Sequence, residues 1–172
     1  MKLQGRRIVI FLADLYEDKE FWIPYYRMKE EGADVVPVGP KGGAFTGKRG
    51  VPATAEKGVD EVEPGDFDGL IIPGGYAPDI MRRHRAMVDF VKDMDASGKV
   101  VAAICHAGWL LISADILRGR SATSFFSIKD DMVNAGALWT DAEVVKDGRL
   151  ITSRNPDDLP AFCRAIIGEL SG

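Results

Sequence analysis

The chain has 172 residues, about 1.1 times the length usual for one domain, so we expect a single domain over residues 1–172. Its 22 Lys and Arg against 26 Asp and Glu give a net charge of -4, which argues against nucleic acid as a partner. With 46% hydrophobic and 28% charged residues, the composition is that of a folded globular protein rather than a disordered or membrane-embedded chain.

The small numbers of cysteines and histidines limit where the protein is expected to reside and which cofactors it could hold. Cys105 and Cys163 are too few for a disulfide framework and suit a reducing cytoplasm. Only His84 and His106 could join them as ligands, so we expect no metal and no other cofactor. The apolar run over residues 8–13 is too short to span a membrane, and no cleavage site follows it. We therefore expect a cytoplasmic protein without a membrane partner.

The first part of the chain alternates between strand and helix signals. An Ile- and Val-rich run predicts a buried strand over residues 7–13. Phe21, Tyr25 and Met28 then recur with a helical period, and this helix is predicted to end near Gly32. A second strand is predicted over 33–38, before residues 40–58, whose Gly, Pro, Thr and Lys indicate irregular structure at the sheet edge.

The remaining chain continues the alternation. Strands are predicted over 69–72 and 100–104, with a helix between them that ends at Gly98. A helical period begins directly after Cys105 and His106. Two strands joined at Asp147-Gly148 are predicted within 137–153, and a last helix opens at Asn155 with Pro156 in its first position.

This order of elements predicts an α/β fold. Strands that alternate with helices form a mostly parallel sheet covered on both faces, so we expect a single-domain three-layer sandwich of the flavodoxin-like type. Ligands in such folds bind at the carboxyl ends of the strands. Two chemically unusual segments lie there, Pro73-Gly74-Gly75 and Cys105-His106.

Cys105 stands where a buried strand turns into a helix with no intervening loop. Such a junction strains the central residue and presents its side chain above the sheet, as in a nucleophile elbow. Helical N–H groups favour a thiolate, so we expect a depressed thiol pKa and a sulfur that is exposed and ionised near neutrality. A small core residue is the alternative, and it is the preferred interpretation for Cys163 on the apolar stripe of the last helix.

The neighbours of Cys105 leave two interpretations open. His106 could act as a base if another group orients its ring, or it could be a polar residue at a helix start. The N–H groups of Gly74 and Gly75, together with that of His106, could form an oxyanion hole, or the glycines could form an ordinary turn.

The segment Ala103-Ile104-Cys105-His106-Ala107-Gly108 resembles the PfpI family of intracellular cysteine peptidases. This family lies within the wider DJ/PfpI superfamily, which has a class I glutamine amidotransferase-like fold. The resemblance extends over nearly the whole chain through Glu17-Asp18, Tyr25-Tyr26-Arg27-Met28-Lys29-Glu30-Glu31-Gly32, Pro73-Gly74-Gly75, Leu117-Arg118-Gly119-Arg120, Lys129-Asp130-Asp131-Met132 and Asp141-Ala142-Glu143-Val144-Val145.

The resemblance implies roles for four residues. Cys105 is the expected nucleophile and His106 its partner, while Glu17 is expected to reach the sulfur as a protonated carboxyl that donates a hydrogen bond. The family's remaining acid comes from a neighbouring subunit, at the position that here is Asp79. The family pattern has the longer Glu there, and Tyr76 stands where Arg is common.

The resemblance also implies an activity and an assembly. The first interpretation is a stress-protection enzyme that acts, like a glyoxalase III or deglycase, on 2-oxoaldehydes or their adducts through the Cys105 thiolate. An intracellular cysteine peptidase is the alternative, and a redox sensor or holdase chaperone is a second alternative. The family assembles as dimers and often hexamers, so we expect a homodimer or homohexamer whose substrate is a small aldehyde, a peptide or a protein.

Overall fold

The computed structural model describes residues 1–172, which form eleven strands and six helices. The strands are β1 (Arg7–Phe11), β2 (Asp34–Gly39), β3 (Gly43–Thr46), β4 (Pro52–Ala55), β5 (Lys57–Gly58), β6 (Gly69–Ile72), β7 (Val100–Ile104), β8 (Ser121–Ala122), β9 (Leu138–Trp139), β10 (Val144–Asp147) and β11 (Leu150–Ser153). The helices are α1 (Asp18–Glu30), α2 (Ala77–Met81), α3 (Arg85–Ala96), α4 (Gly108–Ser113), α5 (Lys129–Asn134) and α6 (Leu159–Leu170).

The central sheet has seven strands in the order β10-β11-β7-β6-β1-β2-β5. Every neighbouring pair is parallel except β10 and β11, which form an antiparallel hairpin at the edge. The five strands β2-β1-β6-β7-β11 follow the order 2-1-3-4-5 along the chain, which is the flavodoxin arrangement. The predicted fold class is confirmed.

Burial on both faces explains why the central strands carry uninterrupted apolar runs. All residues of β6 and β7 are buried, so helices must cover both sides of the sheet. The helix α1 packs against α6, and α3 packs against α4. None of the helices combines the length and the apolar character that crossing a membrane requires.

The boundaries of β6 and β7 agree with the sequence prediction, but the edge segment does not. Residues 40–58 were expected to be irregular, and they instead contain the antiparallel hairpin of β3 and β4 followed by the short strand β5. In β4, the exposed and buried positions alternate, but Pro, Ala and Thr supply too weak an apolar contrast for the sequence to indicate a strand. This hairpin lies beside the site described next.

Candidate active site

The thiol is placed by a sharp turn at the carboxyl end of β7. Ile104 is still extended, and Cys105 has a φ of 62°, in the left-handed region that strains a non-glycine residue. A single 3-10 turn over Cys105–Ala107 then leads directly into α4. The predicted nucleophile elbow is therefore confirmed. Cys105 keeps 8% of its surface accessible and lines a pocket of about 430 Å³.

The same turn brings the ring of His106 to the sulfur. The His106 Nδ1 atom lies 3.2 Å from the Cys105 Sγ, and its Nε2 atom lies 3.2 Å from the Ser127 Oγ. Phe125 stacks on the ring at a centroid distance of 5.0 Å, and Trp109 meets it edge-on. Burial lowers the pKa of His106 below its ordinary 6.5, so the neutral imidazole can accept a proton.

The orienting group that His106 required is thus present, but the sequence did not identify it. Ser127 and Phe125 lie about twenty residues farther along the chain, in a loop without a recognisable motif. Their approach to His106 depends on how this loop returns over the end of β7, which spacing alone does not reveal.

The two glycines after β6 have separate functions. The N–H of Gly75, like that of His106, lies near enough to the Cys105 sulfur to lower the pKa of the thiol, and Gly75 lines the pocket. Gly75 has a φ of 76°, and a Cβ there would lie 2.5 Å from the Glu17 backbone nitrogen, so only glycine fits without strain. The N–H of Gly74 is instead bonded to Glu20 Oε2 at 2.8 Å. The prediction that Gly74 donates to the substrate is wrong.

The carboxyl group beside the thiol belongs to Glu20. A Cβ built on Gly74 would lie 2.6 Å from Glu20 Oε2 and 2.7 Å from the Cys105 Cβ, so these two side chains flank the glycine. Glu20 is fully buried, and its second oxygen has no hydrogen-bond partner. Burial raises the pKa of Glu20 to about 8, although the Gly74 N–H opposes the shift. The carboxyl group is therefore mostly protonated at neutral pH.

Glu17, the residue predicted for this position, faces a different set of groups. It is buried and forms ion pairs with Lys48 Nζ at 2.8 Å and with Arg49 Nε at 3.5 Å. The assignment of Glu17 as the carboxyl that contacts the sulfur is wrong. Glu17 immediately precedes α1 and Glu20 lies in its first turn, three residues later. Residues three positions apart lie on the same face of a helix, so the sequence does not indicate which of the two carboxyls contacts the sulfur.

Burial also changes the expected state of the nucleophile. It raises the pKa of the Cys105 thiol to about 12, and the charge that Glu20 acquires above its own pKa of about 8 contributes further. The N–H groups of Gly75 and His106 and the cation of Lys48 oppose the shift only in part. The expectation of a depressed pKa and an exposed, ionised sulfur is wrong, because one short turn does not offset the loss of water. A base must therefore take the proton when the thiol reacts.

The turn between β3 and β4 supplies the positive charges of the pocket. Lys48 and Arg49 both line it, opposite the thiol-bearing strand ends. The buried Asp18 carboxylate accepts the backbone N–H groups of Arg49 at 3.0 Å and Val51 at 3.1 Å, and so holds this turn. Sequence analysis missed these cations because it treated the segment as irregular.

Asp79, the fourth predicted site residue, is not in the pocket of its own chain. It lies on α2, pairs with Arg83, and keeps 45% of its side-chain surface exposed. Tyr76, just before this helix, does line the pocket and is 59% exposed. A role for Asp79 toward His106 of another subunit stays a prediction. Cys163 is buried on α6, in agreement with its assignment to the core.

The pocket combines a thiol, a neutral imidazole, a protonated carboxyl and two N–H donors. No three side chains of His, Cys, Asp or Glu come together as a group that could hold a metal ion. This set of groups can perform covalent chemistry on an electrophilic carbonyl carbon, with proton transfer by His106 and Glu20.

Comparison with known proteins shows similarity along the whole chain. The model of the DJ-1/PfpI family matches residues 6–169. A deglycase of Pyrococcus abyssi is 47% identical over 161 residues, covering 94% of this chain and 97% of the relative. Protein/nucleic acid deglycase 2 of Escherichia coli is 44% identical over 163 residues, covering 93% and 95%. The crystal structure of Drosophila melanogaster DJ-1beta superposes with a TM-score of 0.91 at 31% identity, covering 98% and 92%.

Proposed function

The chain belongs to the DJ-1/PfpI family, and we propose that it is a cysteine-dependent enzyme of the deglycase or glyoxalase III type. Its substrates would be 2-oxoaldehydes such as methylglyoxal, or the adducts that these form with thiols and amines. The observation that carries the proposal is the contact of 3.2 Å between the Cys105 sulfur and a neutral His106 ring in a pocket of about 430 Å³. The relatives named deglycases support the same substrate class.

The first step forms a bond between sulfur and carbon. His106 Nδ1 takes the thiol proton as the Cys105 sulfur adds to the aldehyde carbon, whose oxygen becomes negative. The N–H groups of Gly75 and His106 lie beside the sulfur, so the developing negative oxygen on the carbon bound to it would form close to both donors. The cation of Lys48 lowers the cost of negative charge in the same pocket.

The second step moves a proton and releases the product. Transfer of the proton from the former aldehyde carbon to the neighbouring carbonyl carbon converts the hemithioacetal into a thioester of a 2-hydroxy acid. His106 first returns the thiol proton to the negative oxygen, which gives a neutral hemithioacetal and frees the ring to act again. The ring then takes the proton from the former aldehyde carbon and delivers it to the neighbouring carbon, while the protonated Glu20 gives a proton to the oxygen on that carbon and recovers one from the hydroxyl of the hemithioacetal. Water then cleaves the thioester, so that methylglyoxal plus water gives lactic acid and the free thiol. With an adduct as substrate, the original thiol or amine leaves carrying a proton.

Product analysis tests this function directly. We expect the protein to convert methylglyoxal into lactate, observed by proton NMR, and to release free N-acetylcysteine when given its methylglyoxal hemithioacetal. A fluorogenic peptide series measured in parallel addresses the peptidase alternative, which needs the same thiol. Peptide cleavage without lactate formation would contradict the proposal.

We further propose that the protein acts as a homodimer or homohexamer in which Asp79 of one copy faces His106 of another. Two features support this arrangement. Asp79 is half-exposed and does not line the pocket of its own chain. The His106 Nε2 atom contacts only a neutral Ser127 hydroxyl, at 3.2 Å, so a carboxylate from outside could strengthen its basicity.

A further inference from the structure

We propose that Arg49 selects substrates that carry a carboxylate or phosphate group close to the reacting carbonyl. This inference rests on the proposed function and narrows its substrate class to anionic 2-oxoaldehyde adducts. It makes Arg49 a residue that determines specificity, with no part in forming or breaking bonds.

The pocket has an unbalanced charge. Lys48 and Arg49 line it with two positive charges, and Glu17 supplies one negative charge between them. Burial keeps Glu20 mostly protonated and His106 neutral near pH 7. The side chains that line the resting pocket thus carry one net positive charge, and the Asp18 carboxylate beside the turn is engaged by the backbone N–H groups of Arg49 and Val51.

The unbalanced positive charge resides on Arg49. Lys48 is one-third exposed and lies 2.8 Å from Glu17 Oε2, so its charge is paired. The ion pair of Arg49 with Glu17 is made through Nε at 3.5 Å, longer than that of Lys48, and the Arg49 side chain is 64% exposed. Its two terminal nitrogens make no hydrogen bond within the chain. A guanidinium group with two free parallel donors matches the paired oxygens of a carboxylate or phosphate.

The backbone of Arg49 is held in place before any ligand arrives. The Arg49 N–H donates to the buried Asp18 carboxylate at 3.0 Å. Gly47 lies so close that a Cβ there would be 2.4 Å from Asp18 Oδ1. A fixed backbone lowers the entropy lost when the guanidinium binds an anion.

The test compares two alkylating reagents of similar shape and different charge. Iodoacetate and iodoacetamide both modify the Cys105 sulfur, and the ratio of their rate constants cancels any change in the ionisation of the thiol. Relative to the ratio for free N-acetylcysteinamide, we expect a preference for iodoacetate of about fivefold in the wild type. Arg49→Gln should abolish this preference and Arg49→Lys should retain part of it. Arg118→Gln, which removes an exposed arginine that does not line the pocket, should leave it intact.

Two further measurements identify the class of anion and distinguish a failure of this inference from a failure of the proposed function. Protection of Cys105 from iodoacetamide by acetate indicates a carboxylate site, protection by inorganic phosphate indicates a phosphate site, and protection by neither overturns the inference. An unchanged reagent ratio in Arg49→Gln overturns it as well. Lactate formation from uncharged methylglyoxal is measured on the same variants. If the wild type forms no lactate, the proposed function fails while the reagent ratio still decides whether Arg49 selects anions.

Discussion

At the scale of single residues, the carboxyls of Glu17 and Glu20 have different roles because different groups surround them. Glu17 meets the two cations of the β3–β4 turn, whereas Glu20 meets only the Gly74 N–H and the thiol. Cys105 and His106 could be predicted because the junction of strand and helix is visible in the sequence. The choice between Glu17 and Glu20 could not be predicted, because it depends on where the β3–β4 turn places its two cations.

Glu20→Gln tests which carboxyl controls the thiol. Glu20 is ionised at the high pH where the thiol titrates, so removing its charge should lower the pKa of Cys105. The pH dependence of iodoacetamide alkylation measures this shift. Glu17→Gln is the matched control and should produce a smaller shift. A larger shift in Glu17→Gln than in Glu20→Gln would restore the assignment made from the sequence.

The buried carboxyl also predicts how stability depends on pH. Glu20 has a pKa of about 8 in the folded chain against an ordinary 4.5, so the native state retains a proton that the unfolded chain loses. Its contribution is complete below about 4.5 and is lost as the pH rises through about 8. Glu20→Gln should therefore gain stability over the wild type between about pH 5 and pH 8.5, by several kcal/mol in urea unfolding. An equal pH dependence of both proteins would contradict the buried, protonated carboxyl.

At the scale of elements, strands with strong apolar runs were predictable and the hairpin was not. The strands β6 and β7 have the predicted boundaries because each is buried on both faces. Exposed and buried positions alternate along β4, but its residues are only weakly apolar. The hairpin of β3 and β4 therefore depends on contacts with the segment after β1. Tyr16 and Asp18 provide these contacts through hydrogen bonds to Val51.

Asp18→Ala tests whether this contact holds the turn that carries Lys48 and Arg49. The change leaves two backbone N–H groups without their acceptor and should cost about 1–3 kcal/mol of stability. Hydrogen exchange should accelerate at the amides of Arg49 and Val51 while the strands β6 and β7 stay protected. Asp89→Ala, which removes an exposed i,i+4 partner of Arg85, is the control. Unchanged exchange in the turn would show that other contacts suffice to hold it.

At the scale of the whole molecule, the sheet order followed from the alternation of strands and helices. The proposed contribution of Asp79 from a second copy cannot be predicted from this alternation, because Asp79 is an exposed acidic residue on a short helix. Only its position relative to a partner would give Asp79 a function.

Mixing two inactive variants tests whether the site is shared between copies. Cys105→Ala lacks the nucleophile and Asp79→Ala lacks the proposed acid, so each alone should be strongly impaired. Mixed assemblies contain some sites with both groups intact, and lactate formation should rise above the sum of the separate proteins. Full activity of Asp79→Ala alone, or of a stable monomer in sedimentation, would refute the shared site.

The most direct measurement compares the two cysteines of the chain. Both are buried, and burial raises the pKa of each, but only the Cys105 thiol lies against an imidazole at the end of a central strand. We predict that Cys105→Ala loses lactate formation from methylglyoxal by a factor of at least about a thousand, while Cys163→Ala retains it. Wild-type turnover in purified Cys105→Ala would contradict the account.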